Sequence, residues 1–285
     1  MLLEIRELGF EYAELSHGIR PTLVPGILEA VSKGDIKISS LHNFCPLPMG
    51  VTQAAPNLYE FSAEDPRERD LAIKHTLKTL EFAARVKATL VVLHLGSIDM
   101  KDYTGKLAGL LEHTTQESKK FQMFKEDALN AREGKKGKFF ARMKETLRKI
   151  LPEVESRGLR LGCENRQALE ELPLDADFEE FLREFQSPAM AYWHDTGHAQ
   201  IKENLGVIEH IRFLQSLAPR LAGFHVHDVI YPARDHMAPS AGTIDFAALK
   251  PFVDPRHIKV FELSPSLPLE AVQPGIAHIK SVWGD

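Results

Sequence analysis

Cysteine is nearly absent: the 285-residue chain carries two, Cys45 and Cys163, far apart and outside any CxxC spacing. That usage excludes a disulfide framework and points to a reducing compartment. No run of about 18 apolar residues occurs, so no membrane-spanning helix is expected. The N-terminus MLLEIRELGF is too charged for a signal peptide, and a soluble, cytoplasmic protein is expected. Charge of one sign is not in excess either. Thirty-five basic against forty acidic residues give a formal net charge of −5, which speaks against nucleic acid or an anionic membrane as partner. Internal repeats and low-complexity tracts are also missing. The expectation is one domain over residues 1–285, a length common among single α/β barrels.

Histidine, by contrast, is plentiful, and the informative ones among the thirteen follow short apolar runs. Those runs are EYAELSH (11–17), IKISSLHNF (36–44), TLVVLHLGS (89–97), LRLGCENR (159–166), MAYWHDTGH (190–198), LAGFHVHDV (221–229) and IKVFELSPS (258–266). Each has the length of a buried parallel strand. Between them lie amphipathic stretches with helix-start signals, such as Asp65-Pro66 before RERDLAIKH and Asp177 to Glu180 before FLREF. Alternating strand and helix predicts an α/β protein, a TIM-type (β/α) barrel. The count stops at seven strands. Residues 1–9 read instead as a helix, with Leu2, Ile5 and Leu8 at helical spacing and Gly9 where a left-handed cap belongs. The first barrel strand is therefore expected to be missing, which favours pairing of the open edge with another chain, a homo-oligomer, or closure by neighbouring strands.

One connection is too long for an ordinary loop: residues 98–157 are expected to form a helical insertion. Its helical pattern is interrupted at Gly134 and Gly137 beside the basic run Lys135 to Lys138. A solvated helix face is the plainer reading of that run. The alternative is a lid bringing positive charge to a phosphorylated or carboxylated substrate.

The chemistry sits at the strand ends: His17, His42, His94, Glu164, Asp195, His225 with His227, and Glu262. In a parallel barrel all strand C-termini open on one face, so these sequence-distant residues converge there. Strand alternation gives Glu164, Asp195, His225 and Glu262 inward parity. Three carboxylates and one imidazole suit one divalent ion, Mn²⁺, Mg²⁺ or Co²⁺, and also accommodate Zn²⁺. Without a cation, three clustered buried carboxylates would repel one another strongly.

The segments LGCENR, HDTGH, FHVHD, RDHMAPSAGTIDF and KVFELSP resemble the xylose isomerase-like superfamily of barrels, which includes sugar isomerases and epimerases, inosose dehydratase and endonuclease IV. The last two resemble members described as sugar phosphate isomerases/epimerases, with one glycine fewer in the SAG loop. This resemblance implies that Glu164, Asp195, His225 and Glu262 are metal ligands. It also implies that His198 and His236 contact substrate or a second metal. Arg166 and Asn43 are candidate hydroxyl or phosphate binders, and His42, His94 and His227 complete the expected substrate-binding set.

The leading functional expectation is an isomerase or epimerase of a sugar, sugar phosphate or polyol-derived ketone, with Glu164 and Glu262 moving the proton through an enediolate. The runner-up is an endonuclease IV-like phosphodiesterase, against which Arg234 stands where those enzymes place an Asp. A non-catalytic sugar-binding barrel is the third reading.

Overall fold

The computed structural model describes residues 2–284. The elements are α1 (Leu2–Glu7), β1 (Tyr12–Leu15), α2 (Val24–Lys33), β2 (Lys37–His42), α3 (Pro66–Arg85), β3 (Leu90–Leu93), α4 (Thr104–Leu111), α5 (Lys119–Ser156) and β4 (Arg160–Glu164). They continue as α6 (Asp175–Glu184), β5 (Met190–Asp195), α7 (Thr196–Asn204), α8 (His210–Leu217), β6 (Leu221–Val226), β7 (Asp228–Ile230), β8 (Arg234–Met237), α9 (Phe246–Leu249), β9 (Ile258–Phe261) and α10 (Leu269–Trp283). The principal sheet has seven strands in the order β1-β2-β3-β4-β5-β6-β9. All seven fall in the apolar runs read from sequence. Among the described residues no strand precedes β1: residues 2–7 are helical, and Gly9 follows at φ +90° as a left-handed stop.

The chain divides into two compact units. One comprises residues 2–97, 139–164 and 185–191. Here β1, β2, β3 and β4 pair in parallel, with Leu41 opposite Val91 and Val91 opposite Leu161. The β3 residues Leu90 to Leu93 are buried throughout, as expected of a strand covered on both faces. Helix α3 begins where the sequence places it: the Asp65 carboxylate accepts from Arg67 N–H at 2.8 Å, and Pro66 occupies the first turn. Residues 43–65, between β2 and α3, have no strand or helix of their own, yet are pinned to the end of β3. Glu60 accepts from Ser97 N–H at 3.1 Å and from its hydroxyl at 2.8 Å, and the Ser62 hydroxyl donates to Ser97 carbonyl at 2.8 Å. Gly96, at φ +121°, permits the approach, since a Cβ there would meet Ser62 Oγ at 2.3 Å.

The other unit comprises residues 98–138, 165–184 and 192–284. Strands β5, β6 and β9 pair in parallel, with Asp195 opposite His225 and His225 opposite Val260. Gly223 lets Trp193 pack flat, because a Cβ would lie 2.5 Å from the indole and 2.4 Å from Ile258 carbonyl. An antiparallel hairpin, β7–β8, follows β6. Asp228 ties its base to the SAG loop, accepting from the N–H groups of Val229, Gly242 and Ile244.

Helix α5 departs from the sequence reading. It runs unbroken from Lys119 to Ser156, through Gly134, Gly137 and Pro152. A glycine costs only about 1 kcal/mol in a helix interior. Burial of Phe121 and Ala128 before the glycines, and of Phe140, Met143, Leu147 and Ile150 after them, outweighs that cost. The basic run is partly anchored: Lys135 donates to Asp99 carbonyl at 2.7 Å and Lys136 to Asp177 at 2.8 Å.

Helix α6 likewise starts two residues before the expected Asp177, which becomes a buried ion-pair partner. Asp177 accepts from Arg132 Nη2 at 2.6 Å, from Lys136 and from Leu174 N–H. Burial alone would raise its pKa, but Arg132 and Lys136 outweigh burial and hold the carboxyl below its ordinary value. Asp177→Asn takes away the buried counter-charge of Arg132, leaving it only the exposed Glu133 at 3.4 Å, and should cost about 3 kcal/mol at pH 7. Because the folded pKa is depressed, this stability is present above the unfolded value, about 3.9, and is lost as pH falls through the folded one. Urea unfolding should therefore show a large gap between variant and wild type at pH 7 that closes toward pH 2. A gap of equal size at both pH values would refute the assignment.

Candidate metal centre and acid–base site

In the first unit, His42 ends β2, His94 follows β3 and Glu164 ends β4. Their potential ligand atoms all lie within 4.8 Å of one another, and all three residues are buried. His42 Nδ1 donates to Asn43 carbonyl at 2.9 Å, and His94 Nδ1 lies 2.7 Å from Asn57 Oδ1. Both partners are acceptors, so each ring keeps a proton on Nδ1 and turns Nε2 toward Glu164. The two Nε2 atoms lie 3.5 Å and 2.9 Å from Glu164 Oε2. Lone pairs facing a carboxylate oxygen need a proton or cation among them. Asn43, also buried, donates its amide to Thr76 Oγ1 at 2.9 Å.

In the second unit, Asp195 ends β5, His225 lies near the end of β6 and Glu262 follows β9. Their donor atoms fall within 4.8 Å of one another. His225 Nδ1 is 2.9 Å from Glu262 Oε2 and 3.8 Å from Asp195 Oδ2. These spacings bracket the roughly 3.0–3.4 Å between ligands that share one ion at about 2.1 Å. Two carboxylates and an imidazole, two of the three wholly buried, thus fit a divalent ion. Glu262 is the accessible member, with 27% of its side chain exposed.

Asp195 is held firmly in place. It caps α7, accepting from His198 N–H at 2.7 Å. Asn165 clamps its backbone from both sides, accepting from Asp195 N–H at 2.7 Å and donating to its carbonyl at 3.0 Å. Behind it runs a buried polar chain. The Tyr192 hydroxyl meets His194 Nδ1 at 2.6 Å, His194 Nε2 meets His210 Nε2 at 2.9 Å, and His210 Nδ1 meets Gln200 Oε1 at 3.4 Å. Burial drives both imidazoles toward the neutral form, His210 down to about 3 and His194 well below its ordinary value. The Tyr192 hydroxyl also donates to Asn165 Oδ1 at 3.1 Å, which joins this chain to the clamp on the Asp195 backbone.

His198 Nδ1 donates to Asn165 carbonyl at 3.0 Å, and Arg166 donates from Nε to Glu171 at 3.0 Å. His236 is the most exposed histidine of the group, and its Nδ1 lies 3.2 Å from Asp235. Burial would lower its pKa, but the Asp235 hydrogen bond and the carboxylates of Asp195, Asp235 and Glu262 push it up to about 9. His227 is fully buried, with its ring against Asp195. Arg234 lies exposed on β8.

Acids and imidazoles gather at the C-terminal ends of the parallel strands, the face on which enzymes built on βα barrels keep their active sites. The chain belongs to the xylose isomerase-like TIM barrel family, whose model matches residues 2–281. In structure it is similar to a D-tagatose 3-epimerase-like protein, with TM-score 0.68, 16% identity and coverage of 99% of this chain and 91% of that one. It is also similar to a D-psicose 3-epimerase solved with D-fructose, with TM-score 0.67, 15% identity and coverage of 100% and 93%. A third is the 3-keto-D-glucoside 4-epimerase of E. coli, with TM-score 0.66, 15% identity and coverage of 98% and 92%. At such identities the likeness speaks to the fold. No curated protein matches the chain in sequence.

Proposed function

We propose that the protein is a divalent-metal-dependent isomerase or epimerase of a sugar, sugar phosphate or polyol-derived ketone, moving a proton through an enediolate. The observation that carries the reading is the convergence of Asp195, His225 and the half-open Glu262 at the strand ends. The structural likeness to two sugar epimerases and an epimerase-like protein agrees with it. Glu164, at the end of β4 with inward parity, is assigned as the fourth ligand. A divalent ion, with Mn²⁺, Mg²⁺ or Co²⁺ favoured by this donor set, supplies electrophilic stabilisation of negative charge developing on substrate oxygen.

The protein's own groups do the rest. Glu262, being accessible, takes or returns the proton at one face of the reacting carbon, and Glu164 serves the other. His236, held near Asp235, and Arg166 offer donors to substrate oxygens. His94, with its Nδ1 proton fixed on Asn57, turns Nε2 to Glu164 at 2.9 Å and holds that carboxylate in place. His42, Asn43 and His198 are more deeply buried and complete the polar surroundings.

The test is a deuterium wash-in screen with Mn²⁺ over ketoses, aldoses, inososes and hydroxy-keto acids. Incorporation of solvent deuterium at a carbon next to a carbonyl is the expected result. The His42, His94 and Glu164 cluster favours a second reading, an endonuclease IV-like phosphodiesterase. No exchange with any substrate class, together with cleavage of abasic DNA, would put that reading first. Sugar binding without exchange or cleavage would leave a binding barrel.

A further inference from the structure

We propose that His227 is a positioning residue that aims the Asp195 carboxylate and couples it to the His236 loop, rather than a substrate contact; the inference rests on the reading that Asp195 binds the metal. His227 Nδ1 lies 2.9 Å from His236 backbone N–H, which can only donate. Nδ1 therefore accepts, and the ring proton of a neutral His227 sits on Nε2. That atom is 3.0 Å from the Asp195 carboxylate. Asp195 thus receives two fixed protons, one from His227 and one from His198 N–H at the start of α7. Its rotation is set by these two donors.

The ring has a seat made for it. Gly197 lies directly against it, since a Cβ there would be 2.0 Å from Cε1 and 2.4 Å from Nδ1. Thr196 clamps the His227 backbone, its hydroxyl donating to the carbonyl at 2.7 Å and accepting from the N–H at 3.1 Å. On the other side the His236 ring stacks nearly parallel, with centroids 4.4 Å apart at 8°. His236 itself is held at φ +54°, a conformation uncommon for a side-chain-bearing residue, in which its N–H reaches His227. One imidazole therefore fixes both a metal-binding carboxylate and the backbone that presents the more exposed His236. The nitrogens of His198, His227 and His236 also fall within 4.8 Å of one another. For His227 to ligate a second ion there, it would have to give up either Asp195 or the His236 N–H, because both of its nitrogens are committed.

The test uses the full chain freed of metal. Long-range ¹H–¹⁵N correlation should show His227 as the Nε2–H tautomer, and a Nδ1–H tautomer would overturn the proposal. Titration with Mn²⁺ by calorimetry, and with Co²⁺ by visible absorption, should show binding weakened about 10- to 100-fold in His227→Leu. His227→Gln, whose amide nitrogen reaches toward Asp195, should recover most of the loss, an order that a packing role would not produce. Gly197→Ala retains His227 but fills its seat, and should weaken binding in the same way even if His227→Leu does not fold. Wild-type affinity in both His227→Leu and Gly197→Ala overturns this proposal alone. Failure of the wild-type chain to take up either ion overturns the metal reading and this proposal with it.

Discussion

Asp195→Ala should abolish tight binding of Mn²⁺ or Co²⁺, taking elemental analysis from about one ion per chain to near none. The carboxylate is wholly buried, and its place is set by α7, Asn165 and His227, so no neighbour swings in to replace it. The substitution also removes the cap of α7, worth about 0.5–2 kcal/mol, which would confuse loss of metal with loss of fold. Asp195→Asn separates the two. Asparagine caps a helix as well as aspartate does but brings no charge to the cation and sets an amide N–H toward His227, so this variant should keep α7 capped and the chain folded while still losing the ion. Full metal occupancy in a folded Asp195→Ala protein would sink the assignment.

Glu164→Gln and Glu262→Gln should each lower solvent-proton exchange into substrate by about 10²–10⁴-fold, because an amide has no basic oxygen with which to accept the proton. The two variants should differ in metal content. At position 262 the glutamine oxygen still lies within reach of His225 Nδ1, the 2.9 Å neighbour of Oε2, and the side chain is partly solvated. At position 164 the amide removes the negative charge that faces His42 and His94 Nε2, and with it the attraction for a cation at this buried carboxylate. Glu164→Gln is therefore expected to lose both exchange and metal, and Glu262→Gln mainly exchange. Near-normal exchange in both variants would refute the two-carboxylate mechanism.

The strands were legible because each is a short apolar run ending in a polar residue, and parallel strands covered on both faces carry that pattern in sequence. Helix α1 and the Asp65 start of α3 were legible through local capping chemistry. What escaped reading depends on contacts between distant residues. Nothing around Gly134 and Gly137 announces that apolar residues on either side keep α5 intact. The Asn57 carboxamide that fixes the His94 tautomer comes from a segment without helix or strand periodicity, 37 residues upstream. Tyr192 and His194 sit beside Asp195 in sequence and were noticeable, but their link to His210 and Gln200 is a product of packing. His227 shows the limit of parity. Alternation correctly separates it from Val226, yet cannot distinguish a side chain that meets substrate from one that backs a carboxylate.

The glycine beneath His227 also bears on how this chain can change over generations. With the imidazole in place, even a single added methyl at position 197 collides with the ring, so Gly197→Ala is disfavoured. Once a smaller residue has replaced His227, position 197 becomes free to vary, and a side chain fixed there then bars the histidine from returning. The two positions form a one-way gate: the order of substitution matters, and reversal requires both to revert. Descendants of this sequence should therefore carry either the glycine with the imidazole or neither, with few mixtures in which position 197 changed first.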